Sequence, residues 1–294
     1  MFSRIESYIT QLQADPVNFL ITMAYTWGVI LFSLILHECA HGYVALKCGD
    51  PTAKMMGRLS LNPARHLHPV GTLFMFVFGF GWAKPVPVNP RNFRDYRRDD
   101  FYVSIAGIVV NLTIFILATL LSCIVNRIMM GEETLAVIME AYDVGVEPFL
   151  SPMYNVGGYL MDGDWIKLAE FYPYAYGMDE IKGIYFLEGW EALKQVLSVP
   201  WLLWVQRLLL LLAQVNLSLA VFNLLPMPPL DGFHLLNDTL LRGKLRLDAR
   251  MFQIAQFVLL ALMFTGAFGE LLHFLTSHLY EAVLRVFMML TGQM

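Results

Sequence analysis

The sequence is poor in charged residues, in cysteine and in any excess of basic side chains. Charged residues occupy 15% of its 294 positions, whereas about 25% is usual for a soluble domain. The net charge of −4 excludes an overall basic surface for nucleic acid. The three cysteines stand at unrelated spacings, so the chain has neither a disulfide framework nor a cysteine-based zinc site.

Hydrophobic residues are abundant instead, at 57% of the chain against roughly 45–50% in soluble domains. A spanning helix needs about 20 mostly apolar residues, and four stretches reach or approach that length. We therefore predict an all-α membrane protein, a polytopic helical bundle with about four to six transmembrane helices. The four stretches are residues 19–46, 101–125, 199–225 and 251–268.

Two further apolar segments do not have the pattern of a simple span. Residues 69–83 are too short to cross the bilayer as a helix and contain three glycines, so we predict a re-entrant or strand-like (β-like) insertion on the cytoplasmic side. Residues 270–290 mix apolar residues with charged ones and histidines. This pattern favours an amphipathic helix lying in the membrane interface.

Charge asymmetry predicts the orientation of the chain. Residues 47–100 hold nine basic and four acidic residues, whereas residues 128–199 hold three basic and twelve acidic ones. By the positive-inside rule the first segment is cytoplasmic and the second is an acidic extracytoplasmic insertion. We expect an integral membrane protein whose first span ends at the cytoplasmic face. The predicted regions are an N-terminal interfacial segment (1–18), a first membrane region (19–127), the acidic insertion (128–199), a third span with its following motif (200–240) and a C-terminal membrane region (241–294).

A chemically informative motif, His37-Glu38-Cys39-Ala40-His41, lies near the end of the first span. Histidines four residues apart share one face of a helix, so both imidazoles can bind one metal ion. Glu38 is offset by about 100° and is placed to act on a water molecule as a general base. Two histidines and a glutamate inside an apolar helix are costly and usually functional. Zn²⁺ suits this ligand set.

A catalytic zinc site needs a third protein ligand. Asp231 follows the third span directly, after a proline-rich segment, and that span ends at the same membrane face as His41. An irregular segment at membrane depth has to line a cavity. We therefore predict Asp231 as the third ligand. The other candidates are His66, His68, His234, His273 and His278.

HECAH at the end of a membrane helix, followed late in the chain by NLLPMPPLDG, resembles the site-2 protease family of intramembrane zinc metalloproteases. GRLSLNPARHLHPVGT, GWAKPVPVNPRNF and SIAGIVVNL resemble the compact prokaryotic branch. The resemblance implies His37, His41 and Asp231 as zinc ligands, Glu38 as general base and Asn223 as the residue that steadies the substrate or oxyanion. It implies membrane-protein helices as substrates within the lipid bilayer, and a prokaryotic cell (inner) membrane as the location. One departure is Ile108, where the middle motif of the family commonly has proline.

Two other functions remain open at this point. The chain is alternatively a catalytically inactive metal-binding membrane scaffold or chaperone, although such a module has no need of Glu38. A zinc transporter is less favoured because polar residues do not follow a whole transmembrane path. Asn111 and Asn216 are interpreted as helix–helix packing partners. His66 and His68 either line the approach to the metal or lie in a solvated loop, and Cys39 is a small residue on the wrong helical face to bind metal.

Overall fold

The computed structural model describes residues 8–10, 12–13, 16–78, 83–143, 198–199, 201–242, 244–245, 248–265 and 267–292. Regular structure in these ranges is helical, and none of them contains a β-strand. Two 3₁₀ turns, Pro63–Arg65 and Pro90–Asn92, accompany the α-helices. The α-helices are α1 (Pro16–Cys48), α2 (Thr52–Met55), α3 (Pro69–Phe78), α4 (Tyr96–Asp143), α5 (Leu202–Leu224), α6 (Asp231–Thr239), α7 (Ala249–Thr265) and α8 (Ala267–Leu290).

Three of the described helices are long and apolar enough to cross a membrane. They contain the candidate spans Phe19–Cys48, Tyr96–Met129 and Trp204–Leu224, which agree in length and composition with the first three predicted spans, and the helical structure confirms the all-α class. The fourth predicted span corresponds to α7, whose apolar part, Arg250–Met263, is shorter than a bilayer crossing requires. The tail forms the single helix α8, and its position in the interface remains a prediction.

The short apolar run forms a helix over most of its length. Residues 69–78 make up α3, ten residues long, so the strand-like interpretation is wrong for this part of the run. A ten-residue helix rises about 15 Å, half of the hydrocarbon thickness. Residues 79–82 lie outside the described residues, and the re-entrant path stays a prediction.

Helix α4 runs across the predicted start of the acidic insertion. It continues without interruption to Asp143, because residues 128–143 contain neither proline nor a cluster of turn-forming residues. The first part of the predicted insertion is therefore a continuation of the helix that contains the second candidate span. Residues 144–197, with most of its acidic and aromatic side chains, lie outside the described residues.

The chain divides into two compact units. One comprises Met1–Phe115 with Gln214–His278, and the other Ile116–Ala213 with Leu279–Met294. In the first unit Ile108, Ala220 and Leu235 form a buried apolar cluster with Phe101 and Ile105 against it. In the second, the buried cluster is Cys123, Leu284 and Met288. All residues of the predicted metal site belong to the first unit.

Helix α1 ends at Cys48, seven residues after His41, and a glycine follows it. Gly49 has φ +110°, in the left-handed region that favours glycine. The Gly49 N–H donates to the Leu46 carbonyl at 3.3 Å and the Asp50 N–H to the Ala45 carbonyl at 2.9 Å. This pair of hydrogen bonds is a Schellman motif. It ends the helix at Cys48 and directs Asp50 into the protein.

The buried carboxylate of Asp50 connects the end of α1 to the segment before α4. Its oxygens accept hydrogen bonds from the Asn89 N–H at 2.7 Å, the Asn92 amide at 2.7 Å and both the N–H and the hydroxyl of Thr52. Burial raises the pKa of Asp50, but these hydrogen bonds outweigh it, and the net pKa lies below 3.8. Asp50 thus keeps residues 89–92 beside the HExxH helix.

We expect Asp50→Ala to lower the free energy of unfolding by about 3 kcal/mol, because it removes the buried carboxylate and the four hydrogen bonds that it accepts. The folded-state pKa of Asp50 is lowered, so its stabilising contribution is fully present above about pH 4 and is lost as the pH falls through that lowered value. Thermal unfolding of wild type and variant in detergent, at pH 7 and below pH 4, measures both effects. An equal melting temperature at pH 7 would contradict the assigned role.

Candidate metal centre

Three donor atoms from α1 and α6 converge on one point. The Nε2 atoms of His37 and His41 are 3.0 Å apart, and each lies 3.3 Å from Oδ2 of Asp231. Among the described residues these three form the group of His, Cys, Asp or Glu side chains that is close enough to hold a metal ion. The predicted long-range pairing of Asp231 with the histidine motif is therefore present.

The geometry of this triangle suits zinc. Ligands about 2.0–2.2 Å from a tetrahedral Zn²⁺ are about 3.3–3.6 Å from one another, within a few tenths of an ångström of the observed separations. Oδ2 of Asp231 is buried and has no hydrogen-bond partner among the described residues. Neutral imidazole nitrogens and a carboxylate oxygen are the donor types that zinc prefers. Three protein ligands leave one position of a tetrahedron for water or substrate.

The other histidines are bonded elsewhere or lie apart from this triangle. His66 is buried, with Nε2 2.7 Å from the Ser60 carbonyl, so its interpretation as a solvated loop residue is wrong. His68 accepts a hydrogen bond from the Gly71 N–H. His278 lies 2.7 Å from the Phe274 carbonyl. Cys39 contacts the Ser60 carbonyl at 3.5 Å and stays outside the metal group, as predicted.

A break between α5 and α6 places Asp231. Helix α5 ends at Leu224, and Pro226, Pro228 and Pro229 prevent it from continuing. Asp231 is the first residue of α6. A Cβ on Gly232 would collide with the backbone carbonyls of Leu224 and Leu225. The glycine of the LDG motif therefore lets the start of α6 pack directly against the end of α5.

Polar contacts with α4 hold α6 in position. Nδ1 of His234 lies 3.2 Å from Oδ2 of Asp100, and Nε of Arg97 donates to the Asp238 carbonyl at 2.6 Å. The hydrogen bond with Asp100 raises the pKa of His234. Burial, together with the neighbouring Asp100 carboxyl, raises the pKa of Asp238 to about 6. These contacts fix the helix whose first residue is Asp231.

Helix α4 also contacts both imidazoles directly. Nδ1 of His41 lies 2.7 Å from the Val103 carbonyl, and Nδ1 of His37 lies 3.1 Å from the side-chain amide of Asn111. Gly107 lies between them, one turn from each, and a Cβ there would be 2.6 Å from Nδ1 and 2.7 Å from Nε2 of His37. Residues spaced by four share a helix face, so one face of α4 supports both rings.

The predicted base and the predicted oxyanion residue are held differently. Oε2 of Glu38 accepts a hydrogen bond from the Val86 N–H at 2.7 Å, which attaches the carboxylate to the non-helical segment that precedes the second 3₁₀ turn. The amide of Asn223 donates to the carbonyl of Leu219 at 2.9 Å, within its own helix α5. Asn216 donates to the Ser33 hydroxyl at 2.8 Å, the helix–helix hydrogen bond that was expected.

Sequence reasoning missed the supporting residues on α4. Asn111 makes the helix–helix hydrogen bond expected of it, but its partner is a candidate metal ligand, a supporting role that the packing interpretation did not include. The available signal was the spacing of Val103, Gly107 and Asn111 along one face of a span, with a glycine at its centre. The contact of Val86 with Glu38 had no comparable signal, because it joins residues 48 positions apart through a backbone group.

We expect Gly107→Ala to weaken zinc binding about 10-fold or more, since the added methyl group displaces the His37 ring, and shifts in ligand support typically cost this much. Titration of detergent-solubilised protein against a zinc-binding dye measures the affinity. Gly28→Ala is the matched control, because a Cβ at this α1 position meets nothing within 4 Å. Equal affinities for the two variants would contradict the close-approach requirement.

Comparison with known proteins agrees with this geometry. The model of Peptidase family M50 matches residues 25–266. A Bacillus subtilis (strain 168) protein named "Putative zinc metalloprotease YwhC" is 32% identical over 250 residues, which cover 84% of this chain and 83% of that protein. No solved structure matches the chain significantly. With its membrane-length helices and a zinc-compatible triangle formed by the HExxH helix and α6, the chain belongs to peptidase family M50, the site-2 proteases, and is a zinc-dependent protease.

Proposed function

We propose that this protease hydrolyses a peptide bond within a transmembrane segment of a membrane-protein substrate. The observation that carries the proposal is that Asp231 of α6 meets His37 and His41, which lie on a helix of membrane-spanning length. His41 lies seven residues before the end of α1, about 10 Å along the helix axis. The site is therefore at membrane depth, and a substrate has to reach it within or at the edge of the bilayer.

In this proposal the site lies in the cytoplasmic half of a bacterial cell membrane. The end of α1 leads into residues 47–100, with nine basic and four acidic residues. Basic loops stay on the cytoplasmic side. Helix α1 thus enters from outside, and the bond that is cut lies near the cytoplasmic end of the substrate segment.

We assign zinc binding to His37, His41 and Asp231 and the base to Glu38. A zinc ion held there supplies Lewis acidity, which acidifies water and polarises the scissile carbonyl. Glu38 takes a proton from the attacking water while the water oxygen bonds to the carbonyl carbon. It then returns the proton to the amide nitrogen as the C–N bond breaks. The Val86 N–H holds Oε2 of this carboxylate, which leaves Oε1 for the proton.

We assign Asn223 to the oxyanion that develops on the scissile carbonyl. Its Nδ2 carries two hydrogens, one of which is donated to the Leu219 carbonyl. The second hydrogen is the donor in this proposal. Removing one such donor typically lowers the rate of a hydrolase by about 10²–10³.

The substrate has to unwind before it can be cut, because helical hydrogen bonds protect its peptide groups. We propose that the unwound stretch lies along residues 83–89, which form no helix and include the Val86 N–H that contacts Glu38. Addition of a strand to an exposed backbone edge is a common mode of peptide recognition. In this arrangement the bond to be cut passes close to the carboxylate that acts on it.

We expect Glu38→Gln to lower the cleavage rate by at least about 10²–10⁴, the usual contribution of a general base, and to leave zinc content unchanged. Glutamine keeps an oxygen for the Val86 N–H but accepts no proton. Cleavage of single-span substrates by detergent-purified protein, with and without a chelator, is the assay. Glu281→Gln, at an exposed α8 position paired with Arg285, is the control. Cleavage at the wild-type rate by Glu38→Gln would refute the assigned base.

We expect Asp231→Ala to lose most of its bound zinc, since two imidazoles alone make an incomplete site. Metal analysis after purification at a fixed zinc concentration tests this. Asp248→Ala is the control, because this exposed aspartate accepts a hydrogen bond from the Met251 N–H and lies outside the metal group. Zinc retention with loss of cleavage would leave Asp231 a role in catalysis but refute it as a ligand. Zinc binding by wild-type protein without any cleavage would favour the inactive scaffold.

A further inference from the structure

The two imidazoles of the metal centre have different partners on their outer nitrogens. For His41 the partner is a backbone carbonyl, that of Val103, 2.7 Å from Nδ1. A carbonyl oxygen accepts and cannot donate, so Nδ1 of His41 carries the hydrogen. In the neutral ring Nε2 then holds a lone pair, the form that binds zinc.

For His37 the partner is an amide, which has both a donor and an acceptor end. The described contact joins Nδ1 of His37 to Nδ2 of Asn111 at 3.1 Å. In that orientation the amide donates, so the hydrogen of a neutral His37 ring has to sit on Nε2. A hydrogen on Nε2 points into the triangle, where Nε2 of His41 is 3.0 Å away, and prevents His37 from binding a metal ion.

The other end of the same amide is left without a partner. Asn111 is fully buried, and its Oδ1 makes no hydrogen bond among the described residues. A buried carbonyl oxygen ordinarily has a donor. Rotation of the amide by 180° exchanges Oδ1 and Nδ2, which occupy nearly the same space. Oδ1 then accepts from Nδ1 of His37, and the lone pair of Nε2 faces the triangle.

We infer that Asn111 is the positioning residue of His37, accepting the Nδ1 hydrogen through Oδ1 and so fixing the ring form that binds zinc. This rests on the proposed assignment of His37 as a ligand. Val103 performs the same task for His41 through its carbonyl. Gly107, between them, brings the face of α4 close enough for both contacts. One helix therefore selects the tautomer of both histidines.

The test compares the zinc affinity of variants that keep or lose a hydrogen-bond acceptor at position 111. We expect Asn111→Leu, which fills the space without a polar atom, to weaken zinc binding by about 10–100-fold, the usual effect of losing such an outer partner. Asn111→Asp keeps an acceptor oxygen and should bind zinc within about threefold of wild type or more tightly, because a carboxylate is a common partner of zinc-bound histidine. Both affinities are measured by competition with a chelating dye.

The matched control is Asn126→Leu. Asn126 is also a buried asparagine on α4, and its Oδ1 accepts a hydrogen bond from Gln206 at 2.7 Å. It lies 15 residues further along the helix, about 22 Å from Asn111. Its loss should lower thermal stability but leave the zinc affinity of the folded protein unchanged. Far-UV circular dichroism of each metal-free variant verifies the fold.

The outcomes separate this inference from the proposed function. Failure of wild-type protein to bind zinc would refute the metal site itself. If wild type binds zinc and Asn111→Leu binds it with equal affinity, the acceptor role is refuted. It is also refuted if Asn111→Leu and Asn111→Asp lose the same amount of zinc affinity. If Asn111→Leu does not fold, long-range ¹H–¹⁵N spectra of metal-free wild type at alkaline pH, where the ring is neutral, decide, with His37 assigned from His37→Ala. A hydrogen on Nδ1 supports the inference, and a hydrogen on Nε2 overturns it.

Discussion

The structure depends on holding three electron-rich atoms within 3.3 Å of one another. Two imidazole lone pairs and a carboxylate oxygen do not attract each other, so their arrangement has to be imposed by the surrounding helices before a cation binds. Preorganisation of this kind requires each ligand to be supported by a second group. The described contacts supply such support for each of the three side chains.

The three supports differ in their chemistry. His41 rests on a backbone carbonyl, which no side-chain substitution removes, whereas His37 rests on a side-chain amide. Asp231 has no hydrogen-bond donor of its own on Oδ2 among the described residues. It is positioned instead through the helix that it begins, by the packing of Gly232 and by the contacts of α6 with α4. Helix α4 is thus involved in placing all three.

The sequence was sufficient to predict the parts of the site that follow a fixed spacing or a depth constraint. His37, Glu38 and His41 follow from one turn of helix, and Asp231 follows from the missing ligand and from the membrane face at which α5 ends. The contacts of Asn111 and Val86 depend on how helices and loops pack, across 74 and 48 positions. Local patterns do not specify such partners: the four-residue spacing around Gly107 marks one face of α4 but not what that face contacts. Helix boundaries were also less predictable, because α4 continues beyond its apolar stretch to Asp143.

The backbone contact of Glu38 lies in a segment with an unusual order of residues. Val86 stands between Pro85 and Pro87, and proline nitrogens carry no hydrogen. If the segment slid by one residue in either direction past α1, a nitrogen without a hydrogen would face the carboxylate. The alignment of this loop with the HExxH helix is therefore set by the absence of competing donors, and a misaligned loop would leave the carboxylate unanchored.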